Sequence, residues 1–538
     1  MKKATKRILS VLLMGLLLAA VFAGCGNAET GSSEKAGSSG VDSSSQSAAT
    51  DASVQSGGED EDEDDGELKE IEVALLSFSP MDGSQTDAVV EAINAVTEEK
   101  INVHANISWY DVNTYLTQVP MMIQANEKLD LIHYTPIPGA GYSAFQTQNQ
   151  LLDITELLNQ HAPGIVDMMG ELLNATTVDD SIYGVACNRV LSSDLYIVMR
   201  KDVLDELGLT EKAENLSSWT EYEEILEAVK AAHPELSPVT NADVQGTVIT
   251  SQPFDVGADS FLENFNYDQL GDSYNLAYCA DDTIECYFFT DTYKQSIDRV
   301  RSWYEKDLVF KDASTNQDLG NIKMKNGAAF SYIQQGEIGF AETAASSTGY
   351  EVVCAQIAKG MIYTGACQKF GFAVPVTSTE PDAAVKFLNE LYTNGDVVNT
   401  LAWGVEGRDW VEKDGVAVYP EGVTAENVLY HTADYSSGNI FVALPWDPAD
   451  VNIRETEKEA LETAARSKYM GFSVDSSPVE QEVTACFNVT QEYKASLASG
   501  SADVEAKYTE FCDKLKAAGV ETVIAEYQKQ LDEWLAAQ

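Results

Sequence analysis

The stretch IEVALLSF, residues 71–78, together with DAVVEAINAVTEEK, residues 87–100, decides the fold class of this chain. The first segment is an apolar run of strand length, and the second places its apolar residues at helical spacing. INVHANISWY (101–110) alternates like a strand, NTYLTQVPMMIQAN (113–126) predicts a helix and LDLIHYT (129–135) is again apolar. This alternation predicts an α/β protein with a parallel sheet and right-handed connections.

Three aromatic residues end or follow these strands: Phe78, Trp109 and Tyr134. In open parallel sheets, ligands bind beyond the carboxyl ends of the strands. We therefore expect the three rings near one rim of the sheet, with Tyr134 at the edge of a cleft. Ordinary core or edge packing is the alternative for each ring, because a fold alone does not assign a function.

The N-terminus reads as an export signal. Four cations precede an apolar run of about sixteen residues, shorter than the ~20 residues that span a bilayer. Within AVFAGCGNAET (20–30), small residues directly precede Cys25, which predicts a lipoprotein signal over residues 1–24 and lipidation of the Cys25 thiol. An uncleaved membrane helix is the weaker alternative, because it needs a longer apolar run.

Residues 25–67 contain few large apolar side chains and end in an acidic block. Such a segment cannot bury enough surface to offset the entropy of ordering, so we expect a disordered tether. The whole chain has a formal net charge of -52. This charge excludes nucleic acid as a partner and repels anionic headgroups, so any membrane contact must come from the lipid anchor only.

Seven cysteines remain besides Cys25, and none forms a CxxC motif. Cys279 with Cys286, or Cys354 with Cys367, are candidate disulfides in an oxidising setting, whereas burial as small apolar residues is the default expectation. The five histidines have no metal-ligand spacing. We therefore expect no metal and no cofactor.

The order of later motifs resembles a known family. LDLIHYT, LLDITELL, SIYGVACN, YIVMRKDVLDELGL and SWTEYEEIL follow one another as they do in extracellular solute-binding proteins of family 1, the maltose-binding-like partners of ABC importers. MKNGAAFSY and FGFAVPVTSTEPDAAVKFLNELYTN agree with this order. NTLAWGVEGRDWV, GNIFVALPWDP and the C-terminal helical segment further resemble clostridial and bacillar lipoproteins that carry a C-terminal domain of unknown function.

The resemblance implies a two-lobed, periplasmic-binding-protein-like fold with discontinuous lobes joined by a hinge, which closes on the ligand. We expect the following boundaries: lobe 1 from residues 68–188 and 365–415, lobe 2 from residues 189–364 and 440–538, and crossovers near residues 188–193, 362–366 and 415–439.

The resemblance also implies a function. Family members commonly bind oligosaccharides, whose apolar faces suit aromatic rings and whose hydroxyl groups need convergent polar partners. We expect a lipid-anchored, monomeric binding protein on the extracellular face of the cell membrane that delivers its solute to ABC permease subunits.

The ligand-binding residues are carried over from the family motifs. Tyr134 corresponds to the aromatic residue that follows the third strand and faces the sugar in family members. The other expected contacts are Phe78 and Asp82 after strand one, Trp109, Tyr183, the loop residues Gln334, Gln335 and Glu337, and the subgroup residues Glu406, Arg408 and Trp446. An ion pair between Glu406 and Arg408 is the structural alternative for those two.

Two other functions stay open from the sequence. A surface glycoside hydrolase needs two carboxylates at a defined separation, which a chain with 86 acidic residues cannot reveal by sequence. No GxSxG, HExxH or phosphate-loop motif is present, so we expect no enzymatic activity. A peptide-binding lipoprotein of the same fold is the other alternative.

Overall fold

The structure is a computed structural model that describes residues 66–137, 139–240, 259–261, 267–312, 314–315 and 318–538. The expected signal peptide, Cys25 and all but the last two residues of the expected tether lie outside this range. Residues Lys69–Gln538 form one compact unit. Among the described helices, none is both long and apolar enough to traverse a bilayer.

The strands, in chain order, are β1 (Lys69–Ser77), β2 (Val103–Asp111), β3 (Leu131–Tyr134), β4 (Thr177–Val178), β5 (Ser181–Ile182), β6 (Val185–Ala186), β7 (Asp194–Arg200), β8 (Ser237–Val239), β9 (Ala277–Ala280), β10 (Thr283–Cys286), β11 (Ala329–Gly336), β12 (Val352–Ala358), β13 (Met361–Ile362), β14 (Gly371–Ala373), β15 (Val411–Lys413), β16 (Val416–Val418) and β17 (Ala465–Arg466).

The α-helices are α1 (Gly83–Ile101), α2 (Val112–Gln124), α3 (Tyr142–Thr147), α4 (Thr155–His161), α5 (Pro163–Met169), α6 (Lys201–Leu207), α7 (Thr210–Glu214), α8 (Trp219–Ala232), α9 (Asp291–Glu305), α10 (Gly320–Lys325), α11 (Phe340–Thr348), α12 (Thr364–Cys367), α13 (Pro381–Thr393), α14 (Gly395–Trp403), α15 (Ile453–Thr463), α16 (Glu480–Ala498), α17 (Val504–Ala517) and α18 (Val520–Ala537). Short 3-10 helices lie at Gly170–Thr176, Tyr287–Phe289, Asp434–Ser436, Ile440–Val442 and Ser477–Val479.

The first sheet has the strand order β2-β1-β3-β14-β6. β1 pairs in parallel with both β2 and β3, as the alternating sequence pattern predicts, and the α/β class is confirmed. The returning strand β14 runs antiparallel to β3 and β6. The carboxyl ends of β1 and β3 therefore lie at the same edge as the beginning of β14.

Local capping fixes the two helices of the βαβ units. The Asp82 side chain accepts from the Ser84 N–H, and the Gln85 side chain accepts from the Asp82 N–H, which forms a capping box at the start of α1. Asp111 caps α2 in the same way through the N–H groups of Asn113 and Thr114. The role of Asp82 seen here is thus to begin a helix.

The second sheet has the order β12-β7-β11-β8. β11 continues to Gly336 and pairs Gln334 with Tyr196 and Gln335 with Leu195. The expectation that Gln334 and Gln335 lie in a loop is therefore wrong, because both belong to the paired strand. Glu337 follows the strand directly.

Separate hydrophobic cores form around the two sheets, consistent with the two-lobed fold. A third core joins the β9–β10 hairpin to the C-terminal helices α16, α17 and α18. In this core Phe288 packs edge-to-face on Phe511, with ring centroids 5.2 Å apart. The C-terminal region thus packs as a helical layer on the β9–β10 hairpin, and we propose that it extends the second lobe.

We propose that the chain passes between the lobes three times. Two of the expected crossovers, residues 188–193 and 362–366, fall between β6 and β7 and between β12 and β14. Phe441, Leu461 and Met470 pack against the first core, whereas Tyr469 and Phe472 belong to the third. This packing corrects the expected third crossover at 415–439 and the start of lobe 2 at residue 440, and we propose that the passage lies between Leu461 and Phe472.

All seven cysteines of the described residues are free thiols. Across the β9–β10 hairpin Cys279 faces Ile284 and Cys286 faces Ala277, so these two cysteines are not cross-strand partners. Cys354 lies in β12 of the second sheet and Cys367 lies in α12, whose side chain packs with the first core. The candidate disulfides are therefore not formed, and five of these seven cysteines are buried, in agreement with the default expectation.

Candidate functional site

Three aromatic rings meet at the edge of the first sheet. Phe78 directly follows β1, Phe370 directly precedes β14 and Tyr435 lies in the 3-10 helix Asp434–Ser436. The ring centroid of Phe370 is 6.3 Å from that of Phe78 and 5.2 Å from that of Tyr435. Phe78 and Tyr435 are only partly buried, so this aromatic group forms an accessible apolar surface.

Backbone hydrogen bonds bring the first crossover to this group. The Cys187 N–H donates to the Phe370 carbonyl over 2.9 Å, and the Asn188 N–H donates to the Gly438 carbonyl over 2.9 Å. The Ile440 N–H in turn donates to the Asn188 carbonyl. The next residue, Arg189, is therefore held between the segments that carry Phe370 and Tyr435.

Arg189 links the crossover to the second sheet. Its Nη1 donates to Oε1 of Glu337 over 3.2 Å and to the Val190 carbonyl over 3.0 Å. The side chain is 10% exposed, and its Nε has no hydrogen-bond partner among the described residues. A buried guanidinium N–H without a partner is costly unless something accepts from it, so Arg189 is a candidate ligand donor.

A second guanidinium lies close by. Arg454 of α15 donates through Nη1 to Glu457 over 2.9 Å and through Nη2 to Asp434, which neighbours Tyr435. Its Nε is also buried without a partner in the described part of the chain. Burial raises the pKa of the Glu457 carboxyl, Arg454 opposes the rise, and the charges of Asp434 and Glu337 add to it.

These five charged side chains and the three rings are called the interlobe cluster below: Phe78, Arg189, Glu337, Phe370, Asp434, Tyr435, Arg454 and Glu457. The Tyr435 hydroxyl lies within electrostatic range of three of them. Burial raises its pKa to about 12, Arg189 opposes the rise, and Asp434 and Glu337 add to it.

A cavity of about 460 Å³ adjoins the cluster at Glu337. Asp194, Lys359 and Gly360 line it from the second sheet, and α15 lines it from the opposite side. Asp194 is held in place by the Gly360 N–H at 2.8 Å and the Gln356 amide at 2.5 Å. Its volume is within the range of small-molecule sites.

Tyr134 is not at the rim of a cleft. Its side chain is 0% exposed, and its hydroxyl donates to the Cys367 carbonyl over 3.3 Å. The absence of a Cβ at Gly371 lets the ring lie over β14, since a Cβ there would stand 2.2 Å from the ring. The expectation of a cleft-edge ligand contact is therefore corrected, because β3 lies between β1 and β14 and its last residue is covered.

Two expected contacts, Phe78 and Glu337, are members of the interlobe cluster. Trp109 lies on the edge strand β2 and packs against Tyr430, with centroids 5.8 Å apart. Tyr183 is half-buried against the first core, and its N–H donates to the Thr176 carbonyl. Neither ring has a recorded contact with the cluster.

The subgroup motifs have other roles in the structure. Arg408 pairs with Asp409 over 2.6 Å, so its ion-pair partner is not the Glu406 of the structural alternative. Glu406 is exposed in the turn before Trp410. Trp446 belongs to a separate aromatic group, with its ring centroid 4.4 Å from that of His431 and 5.1 Å from that of Trp403.

Most of the cluster was missed by sequence reasoning. Phe370 begins FGFAVPV and Tyr435 lies in a segment without periodicity, so neither position stands out. Arg189 offered the one usable signal, a lone cation within the first expected crossover. Asp434 becomes adjacent to Arg454 only when α15 packs onto the segment that follows residue 433.

The arrangement suits binding more than metal chemistry. Rings offer an apolar platform, two guanidiniums offer unused N–H donors, and three carboxylates offer acceptors. A ligand with an apolar face and several hydroxyl groups matches this combination. Among the described residues, no group of three or more His, Cys, Asp or Glu side chains is placed to hold a metal ion.

Comparison with family models gives two matches. Residues 91–404 match the model described as bacterial extracellular solute-binding protein. Residues 468–536 match a domain of unknown function, DUF3502. The second match covers α16, α17 and α18, the helices of the third core.

Comparison with known proteins gives relatives along nearly the whole chain. A carbohydrate ABC transporter substrate-binding protein of Streptococcus pneumoniae serotype 4 is 22% identical over 88% of this chain and 92% of its own length. The crystal structure of the N-glycan transport solute-binding protein NgtS of Streptococcus pneumoniae has a TM-score of 0.72 at 18% identity, covering 87% of this chain and 99% of that one. An HMO-binding solute-binding protein of Bifidobacterium longum infantis has a TM-score of 0.61 at 15% identity, covering 87% and 99%. These two likenesses show the shared fold.

Proposed function

This chain belongs to the bacterial extracellular solute-binding proteins and carries a C-terminal DUF3502 domain, and from that premise we propose that it captures an oligosaccharide between its lobes for an ABC importer. The interlobe cluster is the observation that carries the proposal. It combines accessible rings with buried, unused guanidinium N–H groups at the passage between the lobes. The relatives named for carbohydrate, N-glycan and HMO binding support the same solute class.

The ring group supplies the platform for a pyranose. Phe78 and Tyr435 present partly exposed faces, and Phe370 supports them from beneath. A sugar ring that stacks there brings its equatorial hydroxyl groups towards Arg189 and Arg454. Their two Nε–H groups gain acceptors, and the carboxylates of Glu337 and Glu457 gain donors.

The ion pair between Arg189 and Glu337 couples the ligand to the hinge. One partner lies in the first crossover and the other at the end of β11 in the second sheet. A ligand that hydrogen-bonds to both residues favours the arrangement in which they are close. Binding then shifts the population of lobe orientations by its differential affinity for them.

The proposal includes the location of the protein. Cys25 carries the lipid that holds a monomer on the extracellular face of the cell membrane, and the tether gives the lobes reach. The charged start, the apolar run and the small residues before Cys25 support this part. Replacement of Cys25 by Ser should release the protein into the medium or leave an uncleaved precursor, and retention of a mature-sized product in the membrane would contradict it.

We also propose that the protein binds and releases its solute without altering it chemically. Residues 26–538 can be incubated with neutral glycans, peptides and a buffer control, with melting temperature and chromatography of the solute recorded together. Stabilisation by a glycan without new products is the expected outcome, because a ligand of the folded state stabilises it by mass action. Cleaved sugar would indicate a hydrolase, and stabilisation by peptides alone would indicate the peptide-binding alternative.

A further inference from the structure

The interlobe cluster contains more negative than positive charge. Three carboxylates, Glu337, Asp434 and Glu457, accompany two guanidiniums, Arg189 and Arg454. Each guanidinium is already paired with at least one of the carboxylates. An incoming anion therefore meets no cation in this cluster that lacks a carboxylate partner.

The lining of the adjoining cavity also has a net negative charge. Asp194, Glu337 and Glu459 line it, and Lys359 is the cation that lines it with them. Lys359 and Glu459 are both exposed, so water screens both charges, whereas Asp194 is fixed by hydrogen bonds within the fold. The negative balance thus extends from the ring platform into the cavity.

The negative charges of the interlobe cluster affect the pKa of its own carboxyl groups. The pKa of Glu457 lies above its ordinary value, chiefly through burial and also through the charges of Asp434 and Glu337. A carboxylate brought in by a ligand would feel the same two neighbours. Like charges brought together at a binding site repel each other, and this repulsion excludes wrong partners.

We propose that the interlobe cluster selects uncharged oligosaccharides and rejects glycans that carry a carboxylate, such as sialylated or uronate-containing chains. This inference rests on the proposed function and narrows its solute class. A sugar carboxylate that accepts from the unused Nε–H of Arg189 would share that guanidinium with Glu337, so that two like charges would lie side by side. Hydroxyl groups need no such exchange, because they accept from the unused Nε–H groups and donate to the carboxylates.

Matched glycan pairs test the inference. Calorimetry at low ionic strength with residues 26–538 can compare lacto-N-tetraose with its monosialylated form, and an asialo biantennary N-glycan with its sialylated form. We expect the neutral member of at least one pair to bind and its acidic counterpart to bind about tenfold more weakly or worse. Equal or tighter binding of an acidic member would overturn the inference while leaving oligosaccharide binding intact. Failure of all four glycans to bind would count against the proposed function and the inference together.

Variants that remove one carboxylate charge distinguish electrostatic from steric rejection of acidic glycans. Glu337→Gln and Glu457→Gln keep the side-chain size and remove one negative charge each, so the difference between neutral and acidic glycans should narrow severalfold. Glu406→Gln is the matched control, because Glu406 is an exposed carboxylate outside the cluster. If both cluster variants reject the acidic glycan as strongly as the wild type does, the rejection is steric and the electrostatic inference is wrong.

Discussion

Nη1 of Arg189 lies 3.2 Å from Oε1 of Glu337, and this ion pair joins the first crossover to the end of a strand in the second sheet. The guanidinium is 10% exposed, whereas the carboxylate is 48% exposed. The buried partner is therefore fixed by its surroundings, and the exposed partner is free to exchange with solvent or ligand. This asymmetry makes Glu337 the residue whose replacement most cleanly probes the cluster.

Glu337→Gln should weaken binding of a neutral oligosaccharide by about tenfold while changing stability by less than about 1 kcal/mol. An exposed member of an ion pair contributes little to folding, whereas a charged acceptor at a ligand hydroxyl is worth more. Calorimetry and urea unfolding measure the two quantities. Glu406→Gln should alter neither affinity nor stability. An equal loss of affinity in that control would show that Glu337 is not a specific ligand contact.

Phe78→Ala should reduce affinity by about tenfold or more, because large aromatic anchors dominate binding at preorganised sites. Its ring is half-buried and contacts Phe370 and Tyr435, so some loss of stability accompanies the change. Trp109→Ala is the matched control, since Trp109 packs against Tyr430 and not against the cluster. An affinity loss in Trp109→Ala that exceeds the loss in Phe78→Ala would place the platform on β2 instead.

Tyr134→Ala should destabilise the protein by about 3–5 kcal/mol, as expected for a fully buried aromatic side chain. Tyr134→Phe removes only the hydrogen bond to the Cys367 carbonyl and should cost about 1 kcal/mol. Neither variant should change the affinity of the protein that remains folded. If Tyr134→Phe lost affinity for the ligand at an unchanged melting temperature, Tyr134 would be a ligand contact after all.

The fold was predictable because its signals are local. Apolar runs and helical spacing predict β1, α1, β2, α2 and β3. Asp82 and Asp111 cap helices by short-range hydrogen bonds. Strand edges also place Phe78 correctly, because a residue after β1 must lie at the carboxyl edge of the sheet.

The site was not predictable to the same degree because it is assembled from distant segments. Arg189 and Glu337 are 148 residues apart, and Phe78 meets Tyr435 only through packing. Tyr134 was misjudged because its position at a strand end says nothing about Gly371, the glycine on β14 that makes room for its ring. Periodicity locates an element, but the depth of a side chain depends on its neighbours across the sheet.

Stability should decline as pH falls from about 6.5 towards 4, in part because of His133. Burial lowers its pKa from 6.5 to about 4, and its Nδ1 accepts from the Leu76 N–H. The unfolded chain binds this proton at a higher pH than the folded one, so the contribution is complete above pH 6.5 and lost as pH reaches 4. It amounts to about 3 kcal/mol.

Urea unfolding of wild type and His133→Gln across this pH window isolates the effect. The free energy of unfolding of the variant should decline less steeply with falling pH, because position 133 no longer binds a proton at different pH values in the folded and unfolded chains. His431, whose pKa burial also lowers, remains in both proteins and its contribution cancels in the difference. Parallel pH profiles for the two proteins would show that His133 does not titrate in this way.

The most direct test of the account is calorimetric titration of residues 26–538 with neutral oligosaccharides, with the solute recovered and analysed afterwards. The account predicts saturable binding of at least one glycan, binding weakened by about tenfold or more in Phe78→Ala and by about tenfold in Glu337→Gln, unchanged binding in Trp109→Ala and Glu406→Gln, and recovery of the glycan unchanged. Binding that is insensitive to both cluster variants, or a glycan recovered in cleaved form, would contradict it.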